Sequence, residues 1–306
     1  MAVYLVTGGC GFIGSHLVDA LIAANHEVIV LDDLSAGIEK KANANYIDGS
    51  ICNKELVYDI FKQIDGCFHL AAIASVAQSN ENWLGTHEIN LTGTLTLFDA
   101  ARLMQKSKVI PIVYASSSAV YGDNPTMPAN ELEKPSPISA YGADKYACEL
   151  QARIAGLIHY IPTFGLRFFN VYGPRQRADS PYSGVISIFV ANMKQHKPLT
   201  IYGDGMQSRD FIYVSDVIEH CLAAMSHTSC NAPVVNVCRG QACTLLELID
   251  ELSKIYNYRP EIRFLPPRKG DIYCSIGDPT LATTLLKLHA NVELSSGLRK
   301  LIESTN

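Results

Sequence analysis

The chain has 306 residues, which is long enough for one large domain or two smaller ones with a substantial core. Hydrophobic residues make up 48% and charged residues only 18%, which suggests that part of the surface is buried against another subunit. The net charge of −5 argues against nucleic-acid binding, because such proteins present a basic face to the phosphate backbone.

Short strand-like runs alternate with helix-length amphipathic segments through the first half of the chain. The runs are rich in β-branched and aromatic residues, and this alternation is typical of βαβ units that build a parallel sheet covered on both faces. The predicted fold class is therefore α/β, with a doubly wound parallel sheet. In chain order, the predicted strands are VYLVTG, EVIVLD, NYIDG, CFHLAA, VIPIVYASS and TFGLRFFN.

A glycine-rich turn, TGGCGFIGSHL, joins the first predicted strand to a helical pattern. Gly8, Gly11 and Gly14 suit a sharp turn, a close approach of backbone to a pyrophosphate, and tight packing of helix on strand. The second predicted strand ends at Asp32, near the offset expected for an acid that binds the ribose hydroxyls. Because a carboxylate repels a 2′-phosphate, the motif predicts a Rossmann domain that binds NAD rather than NADP.

The spacing YxxxK occurs twice, at Tyr58/Lys62 and at Tyr141/Lys145. The spacing alone is weak evidence, because about one chance match is expected in a chain with this many tyrosines and lysines. Only the second pair follows a strand that ends in hydroxyl residues, at 116–118, where ligands of open α/β sheets bind. The second pair is therefore the candidate reactive pair, and the first serves as an internal control.

Helical periodicity places Tyr141 and Lys145 on one side of a predicted helix. The opposite side carries an apolar stripe of Ala143, Ala147, Leu150, Ile154 and Leu157. A free tyrosine is a poor base near neutral pH. An ammonium about 4 Å away, in an effective dielectric near 20, would stabilise its ionised form by on the order of 4 kcal/mol. Before desolvation is subtracted, the effect of Lys145 is thus of the right size to make Tyr141 a base, and a positive nicotinamide would add to it.

After Asn170 the regular alternation gives way to loops rich in Gly and Pro, a helix-like VISIFVANMKQ and a mixture of short helices and strands. We interpret this part as a smaller, partly interleaved α/β lobe that binds substrate. The predicted NAD-binding domain covers residues 1–170 with a returning segment at about 210–238. The predicted substrate-binding lobe covers residues 171–209 and 239–306.

Together, TGGCGFIG, SSSAVYG and YGADK resemble the extended short-chain dehydrogenase/reductase family, and the likeness continues in LRFFNVYGPRQ, TIYGDGMQSRDFIYVSDV and PPRKGD. The sequence is most similar to the nucleotide-sugar 4-epimerases of that family. The resemblance implies that Ser117 binds the sugar O4, Tyr141 is the catalytic acid and base, and Lys145 binds the nicotinamide ribose. The cofactor contacts that it implies are Gly8, Gly11, Phe12, Ile13, Gly14, Asp32, Ser50, Ile51, Ala71, Ala72, Asn90, Tyr141 and Lys145.

The residues after Ser117 distinguish the reactions of this family. Relatives that dehydrate nucleotide sugars have Asp-Glu after the hydroxyl residue, and decarboxylating relatives keep a Glu there, whereas this chain has Ser118-Ala119. Without either carboxylate, the expected reaction is oxidation at C4 followed by return of the hydride to the other face of the 4-keto sugar. The alternatives are a 4-keto-sugar reductase or dehydrogenase and a non-catalytic protein that senses NAD or sugar nucleotides.

The resemblance also implies a UDP-sugar site in the second lobe. Arg209 and Arg268 match the two arginines that hold the diphosphate, and Tyr202 matches the aromatic that stacks on uracil. Ser275 stands where a Tyr restricts relatives to plain hexoses, so the expected pair is UDP-GlcNAc/UDP-GalNAc, with UDP-Glc/UDP-Gal as a second. The implied substrate contacts are Ser117, Asn170, Val185, Tyr202, Arg209, Arg268 and Ser275.

The resemblance further implies a homodimer formed by helices at 84–105 and 139–159. The interface candidates, which could equally pack on their own sheet, are Leu91, Leu95, Phe98 and Leu103. The nine cysteines show no metal-ligand spacing, and His69 continues a buried apolar run, so we expect reduced thiols and no metal site. No basic leader and no membrane-length apolar run are visible, which predicts a cytoplasmic protein.

Overall fold

The computed structural model describes residues 1–35, 44–124, 126–179, 183–267 and 272–305. The strands in these ranges are β1 (Val3–Thr7), β2 (Glu27–Asp32), β3 (Asn45–Asp48), β4 (Gly66–His69), β5 (Ile112–Ser117), β6 (Thr163–Phe168), β7 (Asn170–Tyr172), β8 (Leu199–Tyr202), β9 (Ser208–Tyr213), β10 (Val234–Val237), β11 (Ala242–Thr244), β12 (Ile262–Leu265) and β13 (Cys274–Ser275).

The helices are α1 (Phe12–Ala23), α2 (Lys54–Phe61), α3 (Val76–Glu81), α4 (Trp83–His87), α5 (Gly93–Met104), α6 (Ala140–His159), α7 (Val185–Lys194), α8 (Val214–Ser226), α9 (Leu245–Tyr256), α10 (Thr280–Leu286) and α11 (Leu294–Ser304). A π-helical segment, Glu88–Thr92, joins α4 to α5, and a 3₁₀ turn, Ser118–Val120, follows β5.

Seven parallel strands form the main sheet, in the order β10-β6-β5-β4-β1-β2-β3. All six predicted strands lie in this sheet, and β10 completes it, so the doubly wound α/β fold is confirmed. The strand order reverses between β1 and β4. Ligands of open α/β sheets bind at such a reversal, beyond the carboxyl ends of the strands, so the loops after β1 and β4 border the expected crevice.

Helices cover both faces of the main sheet. Successive side chains of a strand point to opposite faces, so each strand contributes residues to two cores. Leu5 of β1 packs into a core shared with α2, α5 and α6. The next residue, Val6, packs into the core on the other side with α1 and α8. That second core continues into the smaller lobe, where it includes Leu248 and Leu298, so the two parts of the chain are packed together.

A smaller sheet lies beyond the carboxyl end of β6, with β9 at its centre. β9 pairs with β7, β11 and β13, while β8 and β12 form a separate two-stranded sheet. The chain then returns to the main sheet through α8 and β10. The predicted returning segment is about 210–238, and in the structure α8 begins at Val214, after β9 has paired within the smaller sheet.

Helix α6 packs the side that carries Lys145, rather than its predicted apolar stripe, against the main sheet. Ser139 caps its first turn by accepting a hydrogen bond from the Gly142 N–H at 3.1 Å. Lys145 is only 3% exposed, whereas Leu150 and Leu157 of the stripe are 47% and 63% exposed. The inner face thus combines the buried Lys145 with the small core residues Ala152 and Ala155, and the large residues of the apolar stripe remain at the surface of this chain.

All nine cysteines are free thiols, in agreement with the sequence. Among the described residues, no group of His, Cys, Asp and Glu side chains is arranged to hold a metal ion. Within the same ranges, none of the helices is both long and apolar enough to cross a lipid bilayer.

Candidate active site

The glycine turn after β1 has no room for side chains at two of its three predicted positions. Gly8 has a φ of +69°, and a Cβ there would lie 2.7 Å from the backbone of Ala71. A Cβ on Gly14 would lie 2.1 Å from the carbonyl oxygen of Gly8. The turn is therefore packed against both the start of α1 and the loop after β4, as the sharp strand-to-helix connection requires.

Asp32, at the end of β2, holds this turn in place. Its Oδ2 accepts a hydrogen bond from the Cys10 N–H at 2.8 Å, and its Oδ1 accepts one from the Leu34 N–H at 2.9 Å. Two carboxylate oxygens offer about four acceptor positions, so capacity remains for ribose hydroxyls. The structure thus places the predicted ribose-binding acid beside the glycine turn.

The loop after β4 forms the other wall of the crevice, and a buried amide fixes it. Asn90, in the π-helical segment, accepts from the Ile73 N–H at 2.8 Å and donates to the Ile73 carbonyl at 3.1 Å. The Ala71 N–H donates to the Thr7 hydroxyl at 3.3 Å. These bonds hold Ala71 and Ala72 against the glycine turn, where the sequence predicted cofactor contacts.

Ser50 and Ile51 follow β3 at the same edge of the sheet. The Ser50 hydroxyl accepts from the Cys52 N–H at 3.1 Å, so part of its hydrogen-bonding capacity serves the local turn. Ile51 is buried against Gly93, where an added Cβ would approach its Cδ1 to 2.4 Å. Both positions border the crevice, and their roles toward a cofactor stay predictions.

The three serines at the end of β5 have different surroundings. Ser116 donates to Glu149 at 2.5 Å and is committed to the interior. Ser117 is the last residue of the strand, and its hydroxyl oxygen accepts from the Ala119 N–H at 3.1 Å, which leaves its proton free to be donated. Ser118 has already entered the 3₁₀ turn. These surroundings agree with Ser117 as the candidate substrate ligand.

Tyr141 and Lys145 lie one turn apart on α6, beside the end of β5. The Lys145 ammonium donates to the Ala115 carbonyl at 2.8 Å and lies 5.9 Å from the centroid of the Tyr141 ring. The Tyr141 N–H donates to the Ser79 hydroxyl at 3.1 Å, which fixes the first turn of α6 against α3. The structure thus brings Ser117, Tyr141 and Lys145 to one edge of the sheet.

His69, at the end of β4, is a buried core residue, as predicted. Its ring nitrogens contact the hydroxyls of Thr7 at 2.7 Å and Thr94 at 2.9 Å. Burial, and then the charge of Lys145, lower the pKa of His69 to about 3. The imidazole is therefore neutral at physiological pH, and its hydrogen bonds connect the end of β4 to Thr7 of β1 and to Thr94 of α5.

Three of the predicted substrate contacts lie on the smaller sheet. Arg209 in β9 pairs with Ser275 in β13, and Asn170 in β7 pairs with Phe211 in β9. The Arg209 guanidinium donates to the Ser208 carbonyl at 2.8 Å. Ser275 is buried, and its side chain is a small hydroxymethyl group.

The remaining predicted substrate contacts come from separate elements. Tyr202 ends β8, and its carbonyl accepts from the Gln207 side chain at 2.6 Å. Val185 is the first residue of α7. Arg268 lies outside the described residues.

Asp210, next to Arg209, is a structural residue of the substrate lobe that sequence reasoning missed. Its carboxylate accepts from the N–H groups of Arg239, Gly240 and Gly277 at 2.8, 2.9 and 3.3 Å. Burial raises the pKa of Asp210 to about 6, although these hydrogen bonds act to lower it. The signal was an acidic residue directly before the apolar run FIYV in the strand-like segment SRDFIYV.

The crevice fits a dinucleotide. The glycine turn presents bare backbone, and no side chain caps the first turn of α1, so its N–H groups can receive a pyrophosphate. Asp32 stands where a ribose would lie, and Ser117, Tyr141 and Lys145 stand at the opposite end, beyond β4 and β5. This order along the sheet edge matches a dinucleotide whose reactive end lies next to a basic and hydroxyl-rich site.

Comparison with known proteins supports this interpretation. Residues 4–238 match the model of the NAD dependent epimerase/dehydratase family. A putative UDP-glucose 4-epimerase of Methanocaldococcus jannaschii is 36% identical over 302 residues, which cover 97% of this chain and 96% of that protein.

Two solved structures are also similar over nearly the whole chain. The UDP-glucose 4-epimerase of Thermotoga maritima, crystallised with UDP-glucose, has a TM-score of 0.94 and 36% identity, with 99% of this chain and 98% of that chain covered. The UDP-N-acetylglucosamine 4-epimerase of Methanobrevibacter ruminantium, in complex with UDP-N-acetylmuramic acid, has a TM-score of 0.92, 34% identity and the same coverage. The chain therefore belongs to the NAD dependent epimerase/dehydratase family and is an NAD-dependent enzyme.

Proposed function

We propose that this enzyme is a UDP-hexose 4-epimerase that interconverts UDP-GlcNAc and UDP-GalNAc and accepts UDP-Glc and UDP-Gal as a second pair. The observation that carries the proposal is the meeting of Ser117, Tyr141 and Lys145 at the mouth of a dinucleotide-binding crevice. Hydroxyl, phenol and ammonium groups in this order can bind a sugar hydroxyl, take its proton and stabilise the resulting charge.

NAD, when bound, provides reversible acceptance of a hydride from C4 of the sugar. Ser117 donates a hydrogen bond to the O4 oxygen, and Tyr141 removes the O4 proton and later returns it. The buried Lys145 ammonium stabilises the ionised phenol, because a charge nearby in a low dielectric acts strongly. Gly8, Gly14 and Asp32 would hold the cofactor, and Lys145 remains fixed through its bond to Ala115.

The absence of a carboxylate after Ser117 favours epimerisation over elimination or decarboxylation. Ser118 and Ala119 form the 3₁₀ turn at the end of β5, where neither can serve as a second acid or base. A 4-keto sugar in this site would therefore turn over and be reduced on its other face, with Tyr141 returning the proton to O4.

Ser275 supports the acetamido sugar. It is buried in β13 beside Arg209, and a hydroxymethyl side chain leaves space that a phenol ring would fill. The names of the similar proteins do not distinguish the substrates, because the two solved structures described above are 36% and 34% identical to this chain. The preference is therefore assigned from Ser275 alone.

Incubation of the purified protein with UDP-GlcNAc, and separately with UDP-Glc, tests this proposal through the anomeric proton signals. The GalNAc and Gal epimers should appear without accumulation of reduced nicotinamide. Reduced nicotinamide formed in proportion to substrate would instead indicate a dehydrogenase. No conversion of either sugar by protein that retains NAD would favour a sensing protein.

We further propose that the enzyme is a homodimer that pairs α5 and α6 with their copies. Leu95 and Leu103 of α5 are 37% and 45% exposed beside the stripe of α6, and a cleft of about 120 Å³ lies between the two helices. Phe98, a predicted interface residue, instead packs into the protein's own core, with its ring centroid 6.2 Å from that of Tyr114. Replacing Ile154 by Asp should convert a dimer into a monomer in light-scattering measurements.

A further inference from the structure

A row of three buried polar residues runs across three neighbouring strands of the main sheet, next to the candidate reaction centre. Ser116 of β5 pairs with Arg167 of β6, and Arg167 pairs with Asn236 of β10. Strands of a parallel sheet covered on both faces are usually apolar throughout. We call Ser116, Arg167 and Asn236 the polar row. It lies one residue before Ser117, so its hydrogen bonds determine where the end of β5 stands.

The polar row is joined to α6 by a buried ion pair. Arg167 donates to both carboxylate oxygens of Glu149, from Nε at 2.9 Å and from Nη2 at 2.7 Å. Ser116 donates to the same carboxylate at 2.5 Å. Glu149 follows Lys145 by one helical turn. The carboxylate therefore connects the strand that ends in Ser117 to the helix that carries Tyr141 and Lys145.

The same row reaches the substrate lobe. Arg167 donates to the Tyr121 hydroxyl at 2.8 Å, which donates to the Asn236 side chain at 2.7 Å. Asn236 in turn donates to the carbonyls of Ala129 at 2.9 Å and Asp278 at 3.3 Å. Asp278 lies three residues after Ser275. One continuous set of hydrogen bonds thus runs from α6 to the segment that follows the proposed sugar-specificity residue.

Charge gives this connection a second consequence. A carboxylate one turn from Lys145, about 6 Å along the helix axis, would oppose the effect of the ammonium on Tyr141 if it stood alone. Burial alone would lower the pKa of Arg167, but its hydrogen bonds and the charge of Glu149 raise it overall, so the guanidinium stays charged. Glu149 and Arg167 therefore have no net charge together.

Other ionisable groups also lie around the pair. Asp144, three residues after Tyr141, is buried and contacts His87 of α4 at 2.8 Å, and its charge acts on Tyr141 equally in every variant of the pair. Glu131 lies near Arg167 and accepts from the Asn236 N–H at 2.6 Å, and His69 of β4 is neutral. Glu88 is exposed to solvent. At the far end of the helix, Asp99 and Arg102 of α5 pair with each other.

We propose that Glu149 and Arg167 form a charge-neutral positioning pair that fixes Ser117 and adds no net charge to the potential that Lys145 creates at Tyr141. This inference rests on the proposed function, in which Tyr141 is the acid and base. Neither residue touches the reacting atoms. They act through Ser116, through the helix that they share with Lys145, and through the electrostatic potential at the phenol.

The test is Glu149→Gln in the NAD-bound enzyme, because arginine does not lose its proton in proteins and Arg167 would then stand uncompensated. Tyr141 lies eight residues, or about 12 Å, from position 149, so its ionisation midpoint should fall by up to about one pH unit. The difference in tyrosinate absorbance between each variant and the same variant carrying Tyr141→Phe isolates this phenol without substrate. The acidic limb of the kcat/KM profile should move by the same amount.

Two further variants separate charge from packing. Glu149→Gln/Arg167→Met removes both charges and should return the ionisation midpoint to the wild-type value. Arg167→Lys keeps the cation without the forked donors, so the midpoint should stay while kcat falls about tenfold and KM changes less than about threefold. A midpoint that is the same in Glu149→Gln and wild type, or shifts equally in the double variant, would overturn the proposal.

The outcome is distinguishable from failure of the proposed function. If Tyr141→Phe kept wild-type activity, Tyr141 would not be the acid and base, and the proposed function itself would fail. If Tyr141→Phe abolished activity but the ionisation midpoint ignored position 149, only the inference about the positioning pair would fail. NAD content, measured after unfolding each variant, shows whether a loss of activity reflects loss of the folded holoenzyme.

Discussion

The two Tyr-Lys pairs of this chain have the same spacing on a helix and opposite surroundings. Tyr58 of α2 donates to the Asp99 carboxylate at 2.5 Å, and its partner Lys62 pairs with Asp59 at the surface. Hydrogen bonding to Asp99, and then burial, raise the pKa of Tyr58. The Asp99 carboxylate thus keeps the Tyr58 phenol neutral, and the charge of Lys62 is compensated by Asp59.

The second pair has the reverse arrangement. Lys145 is buried, donates to a backbone carbonyl and has no carboxylate partner among its described hydrogen bonds. Within the described residues, no carboxylate accepts a hydrogen bond from the Tyr141 hydroxyl. The Tyr141 N–H donates to the Ser79 hydroxyl, and the Lys145 ammonium lies beside the ring. On the proposed function, the charge placed next to the phenol, rather than the YxxxK spacing, distinguishes the reactive tyrosine from the structural one.

The largest expected effect is on activity. Tyr141→Phe removes the proton-transferring group and should lower kcat by about 10³- to 10⁴-fold, whereas Tyr58→Phe should leave kcat within about twofold of wild type. Both are measured by epimer formation from UDP-GlcNAc. If kcat fell equally in the two variants while both retained NAD, the different surroundings of Tyr141 and Tyr58 would not explain catalysis.

Removal of the two lysines sharpens the same comparison. Lys145→Met should lower kcat by about 10²-fold or more, because the phenol loses on the order of 4 kcal/mol of electrostatic stabilisation before desolvation is counted. The acidic limb of the pH profile should move to higher pH. Lys62→Met removes an exposed surface pair and should change neither quantity. A pH profile unchanged by Lys145→Met would contradict this role of the ammonium.

A third variant is expected to weaken NAD binding at the glycine turn. Gly14→Ala places a Cβ 2.1 Å from the Gly8 carbonyl, so the turn must open. We expect about tenfold weaker NAD binding and a loss of about 1–3 kcal/mol of stability. Gly85→Ala in α4 is the control, because the three atoms nearest to its added Cβ belong to the Asn82 side chain that caps α4, away from the glycine turn. Calorimetric titration with NAD measures the difference, and full affinity in Gly14→Ala would exclude a tightly packed turn.

The sequence predicted the elements that depend on local patterns and missed those that depend on packing between distant segments. The six strands, the glycine turn and the Tyr141/Lys145 helix follow from hydrophobic period and turn residues. Periodicity separated the faces of α6 but could not tell which face meets the sheet. Glu149 and Arg167 are 18 positions apart and form a pair only because α6 lies against β6.

The pairing of β9 within the smaller sheet was missed for a related reason. Strand partners are chosen by tertiary structure, and a run such as SRDFIYV fits a central strand of either sheet. Asp210 determines its place through three backbone N–H groups contributed by residues 239, 240 and 277. No local signal in the sequence shows that these segments meet.

The smallest expected effect concerns the stability that the control pair contributes. Burial alone would raise the pKa of Asp99, but hydrogen bonds from Tyr58 and Arg102 lower it overall. A carboxylate whose pKa is lowered by folding adds stability above its unfolded pKa, near 3.9, and loses it as the pH falls through the folded value. Because Asp99 is 39% exposed, solvent screening limits the contribution. Tyr58→Phe should therefore lower the free energy of unfolding by about 1 kcal/mol at neutral pH, and by less at pH values where Asp99 is protonated.

Urea denaturation of wild type and Tyr58→Phe at neutral pH and at about pH 3 measures this difference. Phe keeps the ring and removes only the hydroxyl, so a loss that is the same at both pH values would assign the effect to packing rather than to the bond with Asp99. A loss that shrinks with acid would show that Tyr58 serves stability through its carboxylate partner. The same bond that stabilises the fold would then be the reason why this phenol, at the same spacing from a lysine, takes no part in the chemistry.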